Sequence, residues 1–218
     1  MKAIWFLTFA VIAMAALAAP ARASDYIVTV GSHDAVRSIP WWGDAEGYVG
    51  MRFQCLWLQS EINHAGYINV VEFDVARQIS HGQDKHTFYN VRVWLCHTKK
   101  AGLENTYDNN YTGFTPVQVL NVDQLIIRSN VGYVDIGITP NLFSYNNADN
   151  LLMEVRWHTG YTGVQCWQFK RTDGLVFARR DNAASGTDLD MSQCIRLHIG
   201  TLTGVEPASF GKVKALLR

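Results

Sequence analysis

Charge is scarce in this sequence, and neither sign is in excess. Charged residues make up 17% of the 218 positions, with 19 basic side chains against 19 acidic ones. No long basic run is present to neutralise a phosphate backbone, which argues against nucleic acid as a partner. There is no Cys-x-x-Cys pair, so the four cysteines do not read as a zinc site. Gly-x-Ser-x-Gly, His-Glu-x-x-His and a Gly-rich phosphate loop are all missing, and with them the usual signatures of hydrolysis and nucleotide binding. After the first 23 residues no apolar run is long enough to cross a membrane as a helix.

Those first residues, "MKAIWFLTFAVIAMAALAAPARA", have a basic start at Lys2, an apolar centre and small residues at Ala21 and Ala23. They read as a cleaved secretory signal peptide, placing the protein outside the cell or on its surface. The roughly 195 residues that follow suit one domain. We divide the chain into a signal peptide (1–23), an extended N-terminal arm and lid (24–47), a β domain (48–200) and a linker with a C-terminal tail (201–218). In that tail Phe210, Val213, Leu216 and Leu217 fall at helical spacing among Lys212, Lys214 and Arg218, a short basic amphipathic segment.

What the mature chain has in quantity is aromatic residues and period-two alternation, the bias of strands. "GMRFQCLWL" puts Met51, Phe53, Cys55 and Trp57 on one face. "INVVEFDV" offers Ile68, Val71 and Phe73 to a core, with a slip in the alternation that predicts a bulge. "YNVRVWLCH" buries Val91, Val93 and Leu95 and turns Arg92, Trp94 and Cys96 outward, and "PVQVLNVDQLIIR" is long enough to hold a bend. "GYVDIGIT", "LLMEVRW", "VQCWQF" and "CIRLHI" complete eight strands with no helical pattern between them. The expected fold is all-β, an antiparallel two-sheet β-sandwich of jelly-roll type. "SEINHAGY" reads as the corner between the first two strands, with Asn63 and Gly66 supplying turn chemistry and Ile62 tucked inward. Three polar segments, 76–88, 98–115 and 181–192, read as long surface loops.

Export makes disulfides plausible. In a jelly roll the third and eighth strands are neighbours, so Cys96 to Cys194 is the favoured bridge and Cys55 to Cys166 the second. No cofactor is expected beyond a structural calcium ion, for which Asp108, Asn109 and Asn110 are the weak candidates; turn formation is the stronger use of the same residues. His81, Asp84 and His86 lack the fixed spacing of a metal site. Glu61, Glu72, Asp74 and Glu154 do not converge as a glycosidase pair would, and no enzymatic activity is expected. The binding candidates are aromatic: Trp41 and Trp42 before the first strand, and Trp94 and Tyr133, which parity turns away from the main core.

Several stretches in fixed order carry a resemblance. They are the step Pro40 to Trp42, the strand Gln54 to Leu58, Ser60-Glu61-Ile62 with a turn closed by Gly66, the strand Ile68 to Phe73, "VRVWLCHTKK" and "PNLFSYNNADNLLMEV". Together they span about Val28 to Ile199. This pattern resembles a secreted β-sandwich domain of bacterial surface proteins, found in Bacteroidetes and related phyla beside fibronectin type III modules or type IX secretion sorting domains. The resemblance implies a surface or matrix module for adhesion or assembly, without catalysis. Its partners would be copies of itself, another surface protein or a glycan. The chain departs from the pattern in its four cysteines and in ending on the amphipathic tail in place of a sorting domain. Self-assembly through the arm "SDYIVTVGSH" is the first expectation; the alternative is a carbohydrate-binding module using exposed aromatics.

Overall fold

The computed structural model describes residues 25–37, 39–41, 50–78, 85–128, 131–138, 141–161 and 163–201. The signal segment, Trp42, His81, Asp84 and the C-terminal tail lie outside the described residues. The elements run β1 (Tyr26–Val30), β2 (Ala35–Arg37), β3 (Met51–Trp57), α1 (Gln59–Ile62), β4 (Gly66–Gln78) and β5 (Lys85–Thr98). After a 3-10 turn at Tyr107–Asn110 come β6 (Val117–Arg128), β7 (Gly132–Asp135), β8 (Phe143–Tyr145), β9 (Asn150–Trp157) and β10 (Thr159–Tyr161). Finally come β11 (Val164–Ala178), β12 (Thr187–Gln193) and β13 (Ile195–Gly200).

The protein is all-β, and every strand pairing is antiparallel. The strands form one hydrogen-bonded sheet in the order β1-β13-β4-β11-β3-β9-β5-β10, with β12 and β2 on β11, β6 on β5, and β7 and β8 on β4. β12 and β13 are nearly continuous, yet the first pairs with β11 and the second with β4, so the chain changes partner at Cys194. The sheet is far from flat. Four strand spacings separate β4 from β5, roughly 19 Å along a flat sheet. The Trp41 ring nonetheless lies 5.4 Å from Phe73 of β4 and 5.3 Å from Phe88 of β5, so the sheet curls enough for one side chain to touch both strands.

The alternation places the main core where expected: Ile68, Val71, Phe73, Val91, Val93, Leu95, Ile195, Leu197 and Ile199 are all buried in it. The slip in "INVVEFDV" is a bulge, since Ile199 pairs with Ile68 and His198 with Val70, leaving Asn69 extra. β6 bulges likewise at Val119. In the corner after β3, α1 ends on Asn63 in the left-handed region (φ 44°), Gly66 has φ 150° and Ile62 is buried.

Three expectations are corrected. β5 does not neighbour β13, which lies between β1 and β4, so the strand adjacency behind a Cys96–Cys194 bridge is not formed. All four cysteines are free and buried. Cys96 packs in an outer cluster with Leu56, Leu152 and Tyr107, whereas Cys55, Cys166 and Cys194 belong to the main core, with Cys55 spending its thiol on Ser192 (3.1 Å). Both described ends of segment 76–88 are strand, because β4 continues to Gln78 and β5 begins at Lys85. The second half of the last polar segment is strand β12, whose Leu189 and Met191 alternate with acidic residues, while 181–186 is a turn.

Candidate functional site

The second face of the sheet carries the chemistry. All seven residues of β3 are buried, polar Arg52 and Gln54 included, because segment 99–116 folds across the face opposite the main core. Leu103 and Tyr107 of that segment pack on Leu56, Leu152 and Val176. Polar ties hold it down: the Tyr107 hydroxyl donates to the Arg52 carbonyl (2.8 Å), the Asn110 amide to Gln54 Oε1 (2.8 Å), and the Thr98 hydroxyl to the Asn110 carbonyl (2.7 Å).

Under this cover β3, β9 and β5 run in register, so that Gln54, Glu154 and Trp94 form one cross-strand row and Arg52, Arg156 and Arg92 the next. Glu154 is fully buried and accepts from Arg52 Nη2 (3.0 Å), Gln54 Nε2 (2.7 Å), the Tyr111 hydroxyl (2.6 Å) and Arg156 Nε. Three of the donors converge on Oε2 and Arg156 Nε meets Oε1, so Glu154 clasps the strands to the covering segment. Arg52 also donates to Asp108 (3.2 Å) and to the Ala183 carbonyl (2.8 Å), and its guanidinium lies 4.2 Å over the Tyr107 ring. Burial alone would lower the Arg52 pKa; the Glu154 charge and hydrogen bond outweigh it and raise the value. Burial pushes the Tyr111 hydroxyl up, and the adjacent Glu154 carboxylate pushes it further.

Beyond the cover the same face opens into a cleft of ≈ 440 Å³ lined by Asn90, Arg92, Arg156, His158, Asp181 and Asn182. His158 Nδ1 lies 3.1 Å from Asp181 Oδ2. Among the described residues Arg156 hydrogen-bonds through Nε alone, to Glu154, and its guanidinium rests 5.0 Å over the Trp94 ring. Arg92 is exposed and has no hydrogen-bond or ion-pair partner among the described residues.

The aromatic candidates do not form a common platform. Trp41 is fully buried in the main core, edge-on to Phe73 and Phe88, and offers no face to a ligand. Trp94 is half-buried beneath Arg156, and Tyr133 lies beneath Arg196 at 3.7 Å. The weak calcium candidates are engaged within their turn: Asn110 Oδ1 accepts the Glu104 N–H (2.8 Å), Asn109 donates to Glu104 (2.8 Å), and Asp108 faces Arg52. His86 is buried on β5, and no cluster with metal-binding composition occurs among the described residues. Each candidate carboxylate has its own basic partner: Glu61 with Arg171, Glu72 with Arg196 and His198, Asp74 with His33, and Glu154 with Arg52.

The N-terminal arm forms β1, the outermost strand, paired on one side with β13 from Tyr26↔Ile199 to Val30↔Ile195. Val28 and Val30 turn inward, while Tyr26 and Ile27 are each 54% exposed. Sequence reasoning found the arm and its strand character. It missed the Gln54-Glu154-Trp94 row and the arginine row beside it, for which "LLMEVRW" held one signal: a Glu in the middle of an otherwise largely apolar strand. No family model matches the chain, and no curated protein shows significant similarity to it.

Proposed function

We propose that the protein is an exported, non-catalytic surface or matrix module that acts by associating with copies of itself along β1. The observation that carries this is the bare edge. β1 reads Tyr-Ile-Val-Thr-Val, with no charge, proline or bulge to discourage pairing, and among the described residues its only strand partner is β13. Natural edge strands are usually blunted by such devices, and an open, apolar edge is a template for strand addition. The opposite margin, β6, contrasts with it by carrying Asp123 and Arg128. Two β1 strands meeting antiparallel would give a closed two-fold dimer.

The finer architecture belongs to the same reading. The curl that brings Phe73 and Phe88 onto one Trp41 ring supports two facing layers, a β-sandwich like the surface domains the sequence resembles, with a strand order that departs from the jelly roll at β5 and β13. The signal-like N-terminus supports export. Carbohydrate stacking on aromatics is the weaker reading, since Trp41 is buried and Arg156 and Arg196 cover faces of Trp94 and Tyr133.

Sedimentation velocity across a concentration series tests the proposal. The wild-type chain is expected to shift from monomer to dimer or larger species. Ile27→Lys, which leaves the inward Val28 and Val30 untouched, is expected to remain monomeric. A wild-type chain that stays monomeric throughout, or an Ile27→Lys variant that assembles equally well, would overturn it.

A further inference from the structure

We propose that the cleft at the open end of the β3-β9-β5 face is a binding site for a carboxylated saccharide, with Arg92 as its principal anion ligand. Cross-strand register sets the arrangement. Arg52, Arg156 and Arg92 are direct cross-strand partners on three adjacent strands, an arrangement in which like charges repel. Neutralisation falls off along the row. Arg52 is met by Glu154, Asp108 and the Ala183 carbonyl. Arg156 gives Nε to Glu154 and, among the described residues, leaves its two terminal amino groups unused, with the guanidinium 5.0 Å from the Trp94 ring centre. Arg92, opening onto the cleft, has no partner at all among the described residues. The outer end of the row is therefore two adjacent guanidinium groups with unused donors. A planar carboxylate between them would gain paired charge-assisted hydrogen bonds and relieve their repulsion.

The remaining lining selects the kind of anion. Asn90 and Asn182 present carboxamides, His158 an imidazole and Asp181 a carboxylate, which together can donate to and accept from sugar hydroxyls. No apolar side chain is among the lining residues, so the cleft offers nothing to an acidic peptide beyond its charge. Asp181 opposes a dianion and so favours a carboxylate over a phosphate. A volume of ≈ 440 Å³ lies within the range of small-ligand sites and accommodates one or two sugar rings. The site is independent of the β1 edge, and its test does not depend on self-association.

Isothermal titration of the purified protein at low ionic strength decides it, using digalacturonate as the probe and a neutral disaccharide, acetate and inorganic phosphate as controls. Digalacturonate is expected to bind with Kd on the order of 1 mM or tighter, and each control about tenfold or more weaker. Arg92 is exposed, so Arg92→Gln is expected to keep the wild-type near-ultraviolet circular dichroism while losing about tenfold in affinity, and Arg92→Lys to fall between. Four results would each overturn the proposal: no digalacturonate heat up to about 10 mM, a neutral disaccharide that binds as well, acetate or phosphate that binds as well, or unchanged affinity in Arg92→Gln.

Discussion

At the scale of single residues, Glu154 is the most consequential side chain in the fold. It sits at full burial between Arg52 and Arg156 and ties the covering segment to the sheet through Tyr111. Truncating one member of a buried charge group leaves the others uncompensated, at a cost of about 3–5 kcal/mol. Glu154→Ala is therefore expected to lower the free energy of unfolding by that amount in urea titration, whereas an effect near 1 kcal/mol would show Arg52 to be solvated. Buried titratable groups also set a pH window. Burial pushes the Cys55 thiol up to about 11 and those of Cys96 and Cys194 up to about 12, from an ordinary value near 9. An acid with a raised folded pKa contributes stability that is present below its unfolded pKa and lost as pH rises, so stability should fall from about pH 9 towards pH 12. Burial lowers His86 and His97, and His97 Nε2 accepts the Asn146 N–H at 3.2 Å, which requires a neutral ring. Their contribution is present above about pH 6.5 and lost as pH falls through their lower folded values. Urea melts across pH are thus expected to show a plateau between about 6.5 and 9, with His97→Phe flattening the acid limb.

Among the elements, α1 and its exit show how local chemistry became visible in advance. "SEINHAGY" contains the left-handed Asn63 and Gly66 and an inward Ile62, and each residue type announces its place. Glu61 Oε2 accepts the Leu58 N–H (2.8 Å) and its other oxygen meets Arg171, so its charge serves the corner rather than chemistry. Asn63→Ala is expected to cost about 1 kcal/mol and Asn63→Gly almost nothing, since a β-carbon is penalised at positive φ and glycine is not; equal losses in thermal melts would contradict this. The strand faces of β4, β5, β9 and β13 were equally legible from alternation. Where burial of single strand residues was misjudged, the cause is a polar residue at an inward position. His86 takes the apolar place beside Phe88 and so concealed the start of β5. Arg52, Gln54 and Glu154 are polar residues buried under segment 99–116, and nothing in their spacing showed that they would be covered. Their partners Tyr107, Tyr111 and Asp108 lie in a stretch that reads as a loop.

For the whole molecule, strand order was the property least accessible from the chain. Alternation fixes which side chains face inward but not which strand lies beside which, and the assumed jelly-roll neighbours were wrong for β5 and β13. The predicted Cys96–Cys194 bridge failed with them, because parity had placed both outward on a common surface while the sheet curls and buries them in different clusters. The cleft was invisible for a related reason: Arg92, Arg156 and Asp181 come together only once β5, β9 and the β11–β12 turn are adjacent. The arm that forms β1, in contrast, was readable as a strand seeking an edge. It found one in its own domain and left the other side of β1 unpaired among the described residues. The most direct measurement is amide hydrogen exchange in β1 as a function of protein concentration. If copies associate along this edge, alternate amides within Tyr26–Val30 should gain protection as concentration rises while those of β6 stay unchanged. Assembly without added protection in β1, or protection gained at β6 instead, would contradict the account.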